Sequence, residues 1–309
     1  MKPIVPCLWF DRNGEEAVDF YLSVFPGSRV IDITRYPESD HPAHVDRAGE
    51  VMVIRFELRG QPFLALNGGP QFRFNEAVSF VIECETQEDV DRYWEALTPG
   101  GDPEAQQCGW LKDRFGVSWQ VTPRGIERLF QRDAATNERV MKAMVPMKKL
   151  DYAALLAAAA WSPDRPSVTL SSRKMPFAPE AVFAAFTDPE RLARWWGPKG
   201  FSNDFRTCEI RPGGLWEFDM IGPDGTRYRN ETRFLEFEAP RRIVIEHLRE
   251  VHYFLLTITL SPVEGGTRIE WEMDFQDPAE CEKVLAYVPL CNEEVFDRLE
   301  DELSRFPFS

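Results

Sequence analysis

The sequence has no paired cysteines, no long apolar run and no cluster of basic residues. Each absence removes a class of protein. The six cysteines (Cys7, Cys84, Cys108, Cys208, Cys281, Cys291) are scattered without a CxxC pair. They read as reduced, mostly buried thiols of a cytoplasmic protein, not as a metal cage or a disulfide framework. The longest alanine-rich stretch, 153–160, falls far short of the roughly 18–20 apolar residues of a membrane span. The opening MKPIVPCLWFDRNGEE reaches acidic residues without an apolar core, so no secretory signal is expected. The net charge is −15. Residues 1–160 hold 18 basic and 24 acidic side chains, net −6, and residues 161–309 hold 18 and 27, net −9. Neither nucleic acid nor an anionic membrane is an expected partner, because both demand positive charge. Histidine is also sparse, with four in 309 residues.

What is present is enough apolar sequence, 43%, for two ordinary cores. The N-terminal half repeats itself: EAVDFY (16–21) returns as EDVDRY (88–93). Each copy follows an apolar strand-like run, IVPCLWF or AVSFVIEC, and continues as an amphipathic helix. Further strand candidates follow: SRVIDITRY, EVMVIRFELRG and QPFLALN after the first helix, QQCGWLK and GVSWQVTP after the second. The reading is a β-α-β-β-β unit repeated at a spacing of 72 residues, its sheets curled around a cup. Residues 124–159 read as helical, and WSPDRPS (161–167) breaks the pattern. The expected organisation is a first domain at 1–145, a helical arm and linker at 146–166, and a second domain at 167–309.

The second domain alternates with period two. Trp216, Phe218 and Met220 share one face of their strand, as do Tyr228, Asn230, Thr232 and Phe234, then Phe254, Leu256, Ile258 and Leu260, then Ile269, Trp271, Met273 and Phe275. Charged residues hold most of the opposite face in the first, second and fourth of these strands, which predicts an antiparallel sheet, apolar inside and wet outside. GPDG (222–225) and EGG (264–266) read as hairpin turns. Two short helices, PEAVFAAFT and PERLARWWG, start with proline, with Asp188 as N-cap of the second. An amphipathic helix over about 278–305 closes the sheet. The fold class is therefore α+β: paired βαβββ modules, then an antiparallel sheet wrapped on a long C-terminal helix.

The segments PCLWFDRNGEEAVDFYLSVFPGS, LNGGPQFRFNEAVSF, VDRYWEAL, CGWLKDRFGVSWQVTP and VMKAMVPMKKLD resemble the PhnB-like branch of the vicinal-oxygen-chelate superfamily, often labelled demethylubiquinone methyltransferase. The resemblance covers about 3–155. FAPEAVFAAFTDPERLARWWGPKGF, RPGGLWEFDM, the PDG turn, Asn230 and GGTRIEWEMDF resemble the helix-grip superfamily called SRPBCC or START-like, in the branch of the activator of the heat-shock protein 90 ATPase. That covers about 167–305.

The first resemblance implies four inward positions that chelate a divalent ion in the metalloenzymes of the superfamily. Carried over by strand register they fall at Val5, Asn67, Ser79 and Gln120. These supply neither carboxylate nor imidazole, so no metal and no cofactor are expected. Asn67, Ser79 and Gln120 either floor a ligand cup or satisfy one another. A methyl donor normally needs a glycine-rich strand-turn-helix loop, and Gly68 and Gly69 lead into PQF instead. His41 and His44, beside Asp40 and Asp46, read as a solvated loop with metal binding as the alternative, and His252 as exposed.

In the second domain Trp196, Trp216, Phe234, Phe254, Trp271 and Met273, with Trp195, are candidate walls of an apolar cavity. Tyr228, Asn230, Thr232 and His247 are its candidate polar points. Inward acid–base pairs are not evident, and the catalytic residues are unknown. The leading expectation is a protein with two cups that bind small apolar or aromatic molecules. An enzyme of the vicinal-oxygen-chelate or methyltransferase-labelled type and a chaperone-ATPase activator are the alternatives. The first superfamily implies a homodimer. Of the two cups, the second is the first place to look for function.

Overall fold

The structure, a computed structural model, describes residues 4–38, 45–249 and 253–305. His41, His44 and His252 lie outside the described residues. The chain forms two compact units, one from Met1–Arg124 with Val145–Leu150, the other from Gly125–Met144 with Asp151–Ser309.

In the first unit the repeat takes shape as two modules. The first runs β1 (Cys7–Phe10), α1 (Gly14–Val24), β2 (Arg29–Arg35), β3 (Val51–Leu58), β4 (Gln61–Asn67). Its sheet order is β1-β4-β3-β2, with β1 parallel to β4. The second runs β5 (Phe80–Cys84), α2 (Gln87–Leu97), β6 (Trp110–Lys112), β7 (Ser118–Pro123), in the order β5-β7-β6 with β5 parallel to β7. The wiring is the same in both modules, but among the described residues the second has three strands, not the four of a full βαβββ unit. Pro99, Gly100, Gly101 and Pro103 occupy the stretch where the edge strand would lie, and these residues disfavour strand. A 3-10 turn at Pro103–Ala105 stands there instead. The nearby backbone donors of Cys108 and Gly109 bond Met147 and Lys148 carbonyls at 2.8 Å, so residues 145–150 fold back onto this unit. Gly109 has φ +85°, and a Cβ there would meet the Val121 carbonyl at 2.8 Å, so only glycine fits.

Both helices share one core. Val18, Tyr21 and Phe25 from α1 and its end meet Val90, Tyr93, Trp94 and Leu97 from α2. Phe25 stacks on Tyr93 with centroids 5.4 Å apart and lies 5.3 Å from Trp119. Asp113 ties this core to its loop. Its carboxylate accepts from Tyr21 Oη and Trp119 Nε1, each at 2.8 Å, and from the backbone of Phe115 and Val117.

The second unit is a seven-stranded antiparallel sheet in the order β8-β14-β13-β12-β11-β10-β9. Its strands are β8 (Val168–Met175), β9 (Ser202–Cys208), β10 (Leu215–Ile221), β11 (Arg227–Glu238), β12 (Arg242–His247), β13 (Phe254–Val263) and β14 (Gly266–Asp274). Helices α6 (Pro179–Ala184) and α7 (Pro189–Trp195) link β8 to β9, and Asp188 caps α7 by accepting from Glu190 and Arg191 amides. The terminal helix is interrupted at 285–287, giving α8 (Pro278–Val284) and α9 (Val288–Arg305). The alternation places Trp216, Phe218, Phe234, Ile245, Leu256, Ile258, Ile269 and Trp271 in one core with Phe296, Leu299 and Leu303 of α9. This is the helix-grip arrangement. Helices α3 (Ile126–Leu129), α4 (Ala134–Met144) and α5 (Tyr152–Ala160) also belong to this unit, and α5 packs on both α9 and β8. The segment read from sequence as an arm, 146–166, is thus shared between the units, with the division at Asp151.

Candidate functional site

The four positions carried over from the vicinal-oxygen-chelate superfamily do not converge. Val5 is exposed. Asn67 shares a strand face with Phe63 and Ala65, the face turned to α1, and its amide is used up there. Its Oδ1 accepts from the Gly14 amide at 2.8 Å and its Nδ2 donates to the Val51 carbonyl at 3.0 Å. Asn67 therefore fastens the start of α1 to β3 and β4. Gln120 lies on the face of β7 opposite core residues Trp119 and Val121, where its Nε2 donates to Ser79 Oγ at 2.9 Å. The structure pairs Ser79 with Gln120 and places Asn67 on the helix side of its own sheet. Among the described residues no group of three or more His, Cys, Asp or Glu side chains could hold a metal ion.

A cavity of about 300 Å³ opens elsewhere in the first unit. Phe25, Leu58, Phe63, Phe80 and Trp119 wall it, with Val81 at the surface and Arg59 and Glu83 as charged points. The aromatic packing is continuous, Phe63 to Phe80 at 5.2 Å and Phe80 to Trp119 at 5.4 Å. None of Asn67, Ser79 and Gln120 lines it. Sequence reasoning singled out none of these aromatics, because they come from separate elements that meet between the modules. Burial pushes the nearby Cys84 thiol up to about 12, which leaves it protonated and a poor nucleophile.

In the second unit the aromatic set packs mainly against itself. Trp196 lies 4.8 Å from Trp216 and 5.2 Å from Trp271, and Trp216 stacks on Phe218 and Phe234 at 4.6 and 5.6 Å. Thr232 is spent on the Trp216 carbonyl at 2.9 Å. His247 Nε2 lies 3.3 Å from Asn230 Oδ1, and the His247 ring stacks on Phe254 at 4.8 Å. Asn230 and His247 therefore meet on one face of the sheet. Tyr228 shares their face but is half exposed, its ring 6.0 Å from that of Phe201. Met273 is buried and touches Asn292 of α9, whose Nδ2 lies 3.8 Å from its sulfur and donates to Ser171 Oγ at 3.1 Å.

Sequence reasoning missed this polar seam between β8 and α9. Thr169 beside it is fully buried, and its Oγ1 has no hydrogen-bond partner. The Nε1 of fully buried Trp216 has none either. Arg173 on the same face of β8 is held by Glu293, Asp297 and Glu300 of α9, which carry its pKa upward against the cost of burial. The available signal was on α9, where Asn292, Glu293 and Glu302 fall at buried positions of an otherwise apolar stripe. Arg298 of α9 donates to the carbonyls of Arg194, Trp196, Gly197 and Pro198 at 2.6–3.2 Å. It thereby fixes the turn that carries Trp196 into the cluster.

An aromatic-walled cavity in a two-module α+β unit and a helix-grip sheet closed by α9 define a tandem of ligand-cup folds. Residues 2–122 match the family described as 3-demethylubiquinone-9 3-methyltransferase, and residues 176–304 match that of activator of Hsp90 ATPase homolog 1-like protein. The chain is a fusion of a PhnB-like domain with an activator-of-Hsp90-ATPase-like domain. No curated protein matches it. Among solved structures, a PhnB protein from Bacillus cereus is 32% identical, covering 40% of this chain and 99% of its own, with a TM-score of 0.34. A protein from Rhodobacter sphaeroides is 27% identical over 47% of this chain and 97% of its own, TM-score 0.43. An AHSA1-like protein from Aeromonas hydrophila is 19% identical over 45% and 92%, TM-score 0.36.

Proposed function

We propose that the protein binds small, largely apolar or aromatic molecules, with the cavity of the first unit as the primary site. The observation that carries this is the cavity of about 300 Å³ walled by Phe25, Phe63, Phe80 and Trp119, with Arg59 and Glu83 as its charged points. Ligand sites are commonly of this size and makeup, mostly apolar with a few polar groups that set orientation. The interior of the second unit is the second site. Its support is two buried, unpartnered polar atoms, Trp216 Nε1 on β10 and Thr169 Oγ1 on β8, with Asn230 on β11 and His247 on β12 between those strands. The enzyme alternative gains little, because Gln120 and Ser79 engage each other and bring no charge.

The test is a melting-temperature screen of the full chain against uncharged aromatic compounds, repeated with Val81→Trp. Val81 is 58% exposed at the cavity wall, so the substitution fills the space and spares the core. Compounds that stabilise the native chain are expected to lose most of that effect in the variant. A library without a single stabilising compound, or shifts identical in the two chains, would refute the assignment.

We place the protein in the cytoplasm, supported by six cysteines that are all free, and propose a homodimer. Val30, Ile31 and Ile33 on β2, the edge of its sheet, are exposed and support self-association. Light scattering is expected to give twice the 35.7 kDa chain mass. A single-chain mass at micromolar concentration ends the dimer proposal.

A further inference from the structure

A second cavity, about 220 Å³, lies within the second unit but outside the sheet-and-helix interior. It sits between the start of α4, the end of α5 and the outer face of β8 and β14. Four arginines line it: Arg132, Arg139, Arg165 and Arg268. Two are already occupied. Arg165 makes a two-pronged ion pair with Glu272 at 2.6 and 2.7 Å. Arg139 spends its donors on the Ala158 and Ala159 carbonyls at the end of α5 and on Thr136 Oγ1.

The other two have donors to spare. Arg132 gives Nη2 to the Ser172 carbonyl at 3.2 Å and lies 3.8 Å from Glu293, a carboxylate already held by Arg173 at 2.6 Å. Its Nε is buried without a partner. Burial pulls the Arg132 pKa down, and the charge of Arg268 adds to that pull over the opposing effect of Glu293. Arg268 is half-buried and makes no ion pair or hydrogen bond among the described residues. It stands directly opposite Lys174 in the β14–β8 register, a like-charge pair across strands that costs stability unless an anion intervenes. Of the lining carboxylates, Asp133 is engaged by the Thr136 amide and hydroxyl, which hold it below the usual range. Glu270, half-buried, also lines the cavity.

We propose that this cavity binds a small organic carboxylate, its oxygens accepting from Arg132 Nε and the Arg268 guanidinium and its hydrocarbon part lying on Ala160, Val168 and Leu170. A planar guanidinium fork suits a carboxylate in particular. The space also suits it: a cavity of about 150 Å³ accepts benzene, so 220 Å³ accepts benzene with a carboxylate attached. The site is independent of the aromatic cavity in the first unit.

The test is calorimetric titration of the full chain with sodium benzoate at constant ionic strength, with sodium phosphate in parallel. Benzoate is expected to bind saturably. Arg268→Met is expected to weaken it at least ~10-fold, the scale of one charge-assisted contact. Arg268→Gln, which keeps donors without charge, tests the same loss if the first variant is unstable. Val81→Trp is expected to leave benzoate affinity unchanged. Equal affinity in the native and Arg268 variant chains overturns the proposal. So does binding of phosphate without benzoate, or loss of benzoate binding in Val81→Trp, which would place the ligand in the first unit.

Discussion

Glu302 shows how far a single side chain in this protein is defined by its surroundings. It sits at a buried position of α9, yet it accepts from Arg191 Nε at 3.2 Å and from Arg194 Nη2 at 2.7 Å. Burial alone would raise its pKa, but the two guanidiniums win and hold it below the ordinary 4.5. A carboxylate with a depressed folded pKa contributes stability above its unfolded value and loses it as pH falls through the folded one. Glu302→Gln is therefore expected to cost roughly 1–3 kcal/mol at neutral pH and to flatten the fall in melting temperature as pH drops through and below the ordinary carboxylate range. Parallel melting curves for the two chains across that range would contradict the assignment. Residues of this kind were the least legible in the sequence. Arg173 and Glu293 are 120 positions apart, and only the closure of β8 against α9 makes them partners. Asn67 was singled out only as a position implied by the resemblance; its bonds to Gly14 and Val51 depend on which side of the strand faces the helix.

At the scale of elements, hydrophobic periodicity carried most of the fold. The paired helices α1 and α2, the alternation of β10, β11, β13 and β14, and the prolines opening α6 and α7 all lie where the pattern put them. Two elements show its limits. The edge strand of the second module is absent among the described residues because Pro99, Gly100, Gly101 and Pro103 occupy its stretch, a local veto within a true repeat. Helix α5 lies in the stretch read as a helical arm, but the sequence names no partner for it, because its alanines face every way and its partners, α9 and β8, follow it in the chain. Leu155 on α5 is fully buried. Leu155→Ala is expected to cost about 2–5 kcal/mol. Amide exchange should quicken in α9 and β8 while β1 and β4 keep their rates. Faster exchange in β1 and β4 with β8 unchanged would assign α5 to the wrong unit.

At the scale of the whole molecule, two fold families known separately share one chain, and each unit carries its own candidate cavity. Sequence reasoning favoured the interior of the second unit for function, because its aromatics were conspicuous. Their mutual packing explains why a count of rings could not decide the matter: rings that fill one another leave little room, whereas the less conspicuous Phe63, Phe80 and Trp119 leave a space of about 300 Å³. The same packing makes the second unit an optical instrument. Trp195, Trp216 and Trp271 gather round Trp196, their ring centroids 4.8–5.5 Å from its own. Their electronic transitions are close enough to couple, so near-ultraviolet dichroism carries a signature of that arrangement distinct from the protein's five other tryptophans. Parting the Trp196 turn that Arg298 holds would erase that signature, so the chain reports the state of its second unit without an attached label.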